Sequence, residues 1–245
     1  MKTVAVIGID LAKNVFQVHG ADRNEQCIFR KKLSRNKVLG FFSNMPGCII
    51  GLEACSSAHY WARELEKLGH EVRLMPPQYV KPYVKTNKND VADAEAICEA
   101  VIRPNMRFVG IKTEEQQALL LVHRDREGAV KERTSLINRI RATLGEFGVS
   151  IPVGPQRMKH WFNESYGEVE ARLPQLLTRH VYRMRTRLSY LEAHIAELDK
   201  EINQISSENE DCIRLEEVPG IGRLTASALV GVLPRFYGHF KEASE

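Results

Sequence analysis

From Leu177 to Ile205 the apolar residues Leu177, Val181, Met184, Leu188, Leu191, Ile195, Leu198, Ile202 and Ile205 recur in alternating four- and three-residue steps. That is the heptad period of a helix with one apolar seam, and it is incompatible with the two-residue period of a strand. The pattern predicts one long helix that must bury its stripe. A packed hairpin within one subunit and a coiled coil between subunits both satisfy it. The helical texture begins earlier, with Thr113 positioned to cap a helix reaching about Glu146, before Gly148 and Pro152.

The first hundred or so residues are written differently. Thr3 to Ile9 and Val15 to His19 read as two adjacent strands, Cys27 to Leu33 as a third, and Cys48 to Glu53 as a short, continuously apolar strand of the buried type. Helices are expected near Lys37 to Asn44, Ser57 to Leu68 and Asp90 to Ile102, with another strand at Glu71 to Met75. Gly69, Pro76-Pro77 and Pro104 punctuate them. Three early strands followed by strand–helix alternation predict an α/β layer with a mixed sheet flanked by helices.

Carboxylates stand at the ends of these elements. Asp10 closes the first strand, Glu53 closes the central apolar strand, and Asp90 and Asp93 lie one turn apart at the start of a helix, on one face of it. Each alone also serves as a cap or surface charge, Asp90 in particular at a positive helix N-terminus. Together they are oxygen donors suited to a hard divalent ion, Mg²⁺ or Mn²⁺. Two such ions stabilise the attacking and leaving oxygens of a phosphodiester displacement. The expectation is that the four converge on one point.

The words Gly8-Ile9-Asp10-Leu11-Ala12-Lys13, Leu52-Glu53-Ala54-Cys55 and Thr86-Asn87-Lys88-Asn89-Asp90-Val91-Ala92-Asp93-Ala94 stand in that order. In them the chain resembles the DEDD transposases of insertion-sequence family 110, of the 1111 subgroup, and the related site-specific DNA invertases. The resemblance implies an RNase H-like, RuvC-type domain over 1–110 with Asp10, Glu53, Asp90 and Asp93 as its catalytic and metal-binding tetrad. It further implies a helical coiled-coil region over 111–210 and the start of a C-terminal helix-hairpin-helix domain over 211–245. An enzyme acting on DNA is implied, guided by a structured RNA that the element encodes, so that base pairing supplies sequence choice. A homo-oligomer, dimer or tetramer, through the coiled coil is implied as well. The family's second domain supplies a serine nucleophile downstream of the helix-hairpin-helix word. No matching serine context follows here, so a copy incomplete in that domain, and inactive alone in recombination, is expected.

Basic residues supply the nucleic-acid candidates. Lys81, Lys85 and Lys88, with Tyr79 and Tyr83, lead into the paired aspartates, and Arg179, Arg183, Arg185 and Arg187 form a denser cluster on the heptad helix. Solvated lysines or an ordinary helix face explain either group equally simply. In Val218-Pro219-Gly220-Ile221-Gly222-Arg223, Gly220 and Gly222 permit a tight turn whose amides and following helix N-terminus can hold a phosphate, or merely join two helices.

The remaining properties set bounds. The formal charge of +4 is compatible with a polyanion partner without demanding one, and the five cysteines include no C-x-x-C pair. No signal-peptide pattern and no apolar run of about 20 residues occurs, so a cytoplasmic, nucleoid-associated protein without a membrane partner is expected. Three rival readings are a non-catalytic DNA- or RNA-binding remnant, a RuvC-like nuclease that hydrolyses with water, and a sugar-kinase or actin-like ATPase. Gly8-Ile9-Asp10 also opens folds of the last kind, but later phosphate-binding glycine loops are absent.

Overall fold

The computed structural model describes residues 3–84 and 90–233, of residues 90 and 91 the backbone alone. The chain divides into two compact units, with the boundary between Thr113 and Glu114.

The first unit is built on a five-stranded sheet: β1 Val6–Asp10, β2 Val15–Ala21, β3 Cys27–Ser34, β4 Ile49–Glu53 and β5 Glu71–Met75. Its order is β3-β2-β1-β4-β5. β1 pairs antiparallel with β2, and β2 with β3, whereas β1–β4 and β4–β5 are parallel. The mixed sheet is compatible with a RuvC-like fold. Parallel neighbours need crossovers, and α1 Val38–Phe42 and α2 Ala58–Lys67 lie in them. A short helix α3 Pro77–Val80, a 3₁₀ turn Lys81–Tyr83 and helix α4 Asp90–Ala100 follow β5.

Alternation divides the strands between two cores. Ile7, Ile9, Phe16, Val18, Leu33, Ile50, Leu52, Val72 and Leu74 face α1 and α2, where Phe16 meets Trp61 edge-on at 4.9 Å. Val6, Ala21 and Met75 face the other way, against Ala96, Ile97, Ala100 and Val101 of α4. Trp61, buried at 3% exposure, is therefore core packing.

The second unit is helical: α5 Glu114–Gly145, α6 Pro155–Glu164, α7 Tyr166–Glu170, α8 Gln175–Glu208, α9 Glu210–Glu216 and α10 Arg223–Val232. The heptad stripe lies on α8, where Leu177, Val181, Met184, Leu188, Leu191, Ile195, Leu198 and Ile202 are all buried. α8 packs along α5 of the same chain, and its first half shares a core with Leu136, Ile137, Ile140, Trp161 and Phe162. Burial of the stripe within one chain is thus satisfied by the hairpin. The segment after α9 forms a turn with Gly220 at φ +91°, and Gly222 caps α10. Gln116 of α5 donates to the carbonyls of Val230 and Leu233 at 2.9 and 2.7 Å and so satisfies the C-terminus of α10.

Candidate active site

β1 and β4 run side by side in the same direction, with Val6 opposite Ile49, Gly8 opposite Gly51 and Ile9 opposite Leu52. One residue further, Asp10 and Glu53 end the two strands as neighbours, about 4.8 Å apart at the backbone. By alternation both point to the face carrying Gly8 and Gly51, which is the face that α4 covers.

The glycines explain how the helix comes so close. A Cβ on Gly8 would stand 2.8 Å from the Cα of Cys98 and closer still to the Ala94 carbonyl oxygen and the Cys98 amide nitrogen. A Cβ on Gly51 would meet Val101 at 2.8 Å. Only a strand without side chains at this level admits the helix backbone. The Cys98 thiol reaches the Val6 carbonyl at 3.8 Å, so α4 runs from the Asp10 end of β1 toward its start. Asp93, the residue before Ala94, is thereby carried to the strand ends that hold Asp10 and Glu53.

Electrostatics agree with that placement. The Glu53 carboxyl is pushed above the usual carboxylate range, first by burial and then by the charge of Asp93, while the Lys81 ammonium pulls it back. The Cys55 residue is exposed overall, yet its thiol is raised, first by desolvation and then by the charges of Glu53 and Asp10. Asp10, Glu53, Asp93 and Lys81 thus share one local field, with Cys55 at its margin. Cys55 was not anticipated there, although its position two residues beyond Glu53 was the available signal.

Asp10 and Glu53 thus end neighbouring central strands and the Asp93 charge reaches Glu53, while the Asp90 side chain lies outside the described residues. Among the described residues no three His, Cys, Asp or Glu side chains stand close enough to hold an ion by themselves. The donor chemistry still suits a hard divalent cation: the side chains are carboxylates, and Glu53 is raised first by burial and then by the Asp93 charge, which a cation would offset.

The other candidates fall as follows. Lys81 is exposed on the 3₁₀ turn beside Glu53, while Lys85 and Lys88 lie outside the described residues. Tyr83 packs on the core beneath α4, with the Arg103 guanidinium 6.0 Å from its ring centre, so it is not an open platform. On α8, Arg179 and Arg183 are exposed, Arg187 pairs with Glu132, and the Arg185 guanidinium covers the Phe162 ring at 5.2 Å. Gly220 and Gly222 lie in the turn before α10, which exposes Val218 and Leu224. Ser227, the serine of that helix, is fully buried, donates to the Arg223 carbonyl at 2.8 Å and meets His123 at 3.1 Å.

A mixed five-stranded sheet with carboxylates at the ends of its two central parallel strands, and a helix packed across them, defines an α/β unit compatible with a RuvC-like fold. A family model described as transposase, of the DEDD type of insertion sequence IS110, matches residues 7–148. The "Probable family 20 transposase" of Pseudomonas aeruginosa is 47% identical over 224 residues, which are 91% of this chain and 66% of that protein. The "Transposase for insertion sequence element IS1328" of Yersinia enterocolitica is 42% identical over 229 residues, 94% of this chain and 68% of that one. The corresponding protein of insertion sequence element IS1111A from Coxiella burnetii is 36% identical over 241 residues, 97% of this chain and 66% of its own length. The chain belongs to the DEDD transposase family of IS110. It spans about two thirds of the length of these relatives.

Proposed function

We propose that this chain carries the metal-dependent phosphodiester-cleaving site of an insertion-sequence transposase. The observation that carries the reading is the juxtaposition of Asp10 and Glu53 on adjacent parallel strands, with Asp93 brought to them over the Gly8–Gly51 contact. Asp10, Glu53, Asp93 and, by family kinship, Asp90 would hold Mg²⁺ or Mn²⁺. Bound there, the metal supplies Lewis-acid activation of the phosphodiester and charge stabilisation at the attacking and leaving oxygens.

The protein's own residues do the rest. Asp10 and Glu53 are fixed by the strand ladder, so their separation is set by the sheet rather than by a loop. Asp93 is fixed by a helix seated on backbone. Lys81 balances part of the carboxylate charge and stands where it can meet a DNA phosphate. In the second unit, the exposed Arg179 and Arg183 and the turn at Gly220 and Gly222 offer contacts to a nucleic-acid backbone that do not read sequence. Guidance by an element-encoded RNA, assembly of chains through the α8 helices, and use of the Gly220 turn as a helix-hairpin-helix element complete the reading. Their support is family membership alone.

The test is nicking of supercoiled DNA by the purified chain with Mg²⁺ or Mn²⁺, comparing wild type with Asp10→Asn, Glu53→Gln and Asp93→Asn. Each variant is expected to lose at least ~10²-fold in rate, the scale of removing one preorganised electrostatic group. Cleavage that survives all three substitutions, or that needs no divalent ion, would overturn the assignment. A second reading, nucleic-acid binding without chemistry, is favoured by the lack of a closed three-ligand cluster among the described residues. Metal-independent binding with no nicking would establish it instead.

A further inference from the structure

The row of the sheet that ends in the carboxylates continues across β2 and β3. Asp10 pairs with Gln17, and Gln17 pairs with Lys32. Cross-strand partners project to the same face, so the row reads Glu53, Asp10, Gln17, Lys32 from β4 to β3.

Burial supports this orientation independently. Phe16, Val18 and Leu33, the sequence neighbours of Gln17 and Lys32, are buried on the α1/α2 face, which turns Gln17 and Lys32 to the other side. Arg30, two residues before Lys32, is held on that side by Glu95 of α4 at 2.9 Å. Lys31 points the opposite way, with its ammonium 4.9 Å from the Phe41 ring centre. Asp10, Glu53 and Gln17 are partly open, Lys32 is exposed, and no ion pair among the described residues engages it.

We propose that Gln17 and Lys32 form a phosphate seat for the nucleic-acid strand whose scissile phosphodiester lies at Asp10 and Glu53. This rests on the reading of those carboxylates as the cleavage site. A phosphodiester approaching clustered carboxylates is repelled by them, and Lys32 on the same open row offsets that repulsion on the β3 side, as Lys81 does beside Glu53. The two cations mark a track for the strand across the sheet. Lys32 lies two strands from Asp10, about 10 Å at the backbone, and a lysine stem can close part of that gap. Gln17, between them, can donate its amide N–H to the same phosphate. Neither contact reads bases.

The test measures binding of a fluorescein-labelled duplex DNA oligonucleotide to the full chain in Ca²⁺ by anisotropy over a salt series. Lys32→Gln is expected to weaken binding about fivefold at low salt and to reduce the slope of log K against log salt by about 1. Lys32→Arg should restore both, and Lys31→Gln, on the same strand but the opposite face, should change neither. Lys32 is exposed, so thermal melting of the variants should match wild type. Wild-type affinity and slope in Lys32→Gln, with binding that still strengthens on adding Ca²⁺ and loses this response in Asp10→Asn, would overturn the phosphate seat while leaving the cleavage site standing. Wild-type binding indifferent both to Ca²⁺ and to Asp10→Asn would overturn the cleavage site, and the seat with it.

Discussion

Gly8→Ala is the most informative single change in the first unit, because one methyl group tests whether α4 must touch the sheet for the carboxylates to meet. The added Cβ would sit 2.8 Å from Cys98 Cα, with the Ala94 carbonyl oxygen and Cys98 amide nitrogen nearer still, whereas ordinary contact begins at 3.4 Å. All three atoms are helix backbone, so no side chain can swing aside. The helix must retreat as a body or the strand must bend. Overpacking of this kind costs about 1–3 kcal/mol, and rigid neighbours put this case at the upper end. The unfolded-state gain from replacing glycine returns about 0.5–1 kcal/mol, leaving a net loss near 2 kcal/mol. For a unit of this size that corresponds to roughly 10 °C in melting temperature. The displacement also moves Asp93 away from Asp10 and Glu53, and a shift on the order of 1 Å at a catalytic group can cost ~10²-fold in rate. Gly51→Ala, which meets the Val101 and Met75 side chains, should be milder in both respects. Thermal unfolding followed by circular dichroism, beside the nicking assay, measures the two effects. A Gly8→Ala protein that melts and cleaves like wild type would refute the proposed seating of α4.

Two further outcomes are expected. The His59 imidazole is pushed down to about 4, first by burial and then by Lys112 and Arg63, with the Lys112 amide donating to its Nδ1 at 3.2 Å. The folded protein therefore binds fewer protons at His59 than the unfolded chain below the ordinary value of 6.5. Its stabilisation is full above that value and is lost as pH falls toward 4. Between about pH 7 and about pH 5, wild type should lose roughly 1 kcal/mol more than His59→Gln, after allowing for solvent screening of a half-buried ring; parallel stability curves in urea would contradict this. Gln116→Ala should cost about 1–3 kcal/mol by stranding the carbonyls at the end of α10. Faster amide exchange confined to α10 would report it, and unchanged protection there would show that the cap is dispensable.

Elements written in one strong period were readable directly. The heptad stripe runs through α8, and Glu71–Met75 forms a strand where the alternation between Gly69 and Pro76 predicts it. Asp10 and Glu53 could be placed at strand ends because an apolar run stops at each. Pairing was not readable, since the neighbour of each strand depends on the order β3-β2-β1-β4-β5 and not on local pattern. Gln17 and Lys32 therefore carry no local signal of their own, and the strand pattern does not mark Gly8 as the point where a helix comes closest. The arginines of α8 are a similar case. Spacing alone cannot tell that Arg185 covers Phe162 and Arg187 is engaged by Glu132, while Arg179 and Arg183 remain exposed.

The site and the fold pull against each other at the centre of the sheet. Gly8 and Gly51 are opposite each other on the two central parallel strands, where glycine weakens a strand by its chain entropy and its missing side chain. Valine or isoleucine there would stabilise the sheet and still satisfy the hydrophobic pattern. It would also hold α4 off the strands. The helix is matched to the gap, with Ala94, Ala96 and Ala100 all buried at or near zero exposure. Small residues on both sides of one contact bring a helix backbone against a strand backbone, and the residue just before that contact is Asp93. The Glu53 carboxyl is raised first by burial and then by the Asp93 charge that the same closeness brings near. On the proposed reading of the site, two glycines that cost the sheet stability and the crowding of Glu53 by Asp93 have a single explanation. The sheet then gives up stability to bring carboxylates near one another, where a cation can meet them.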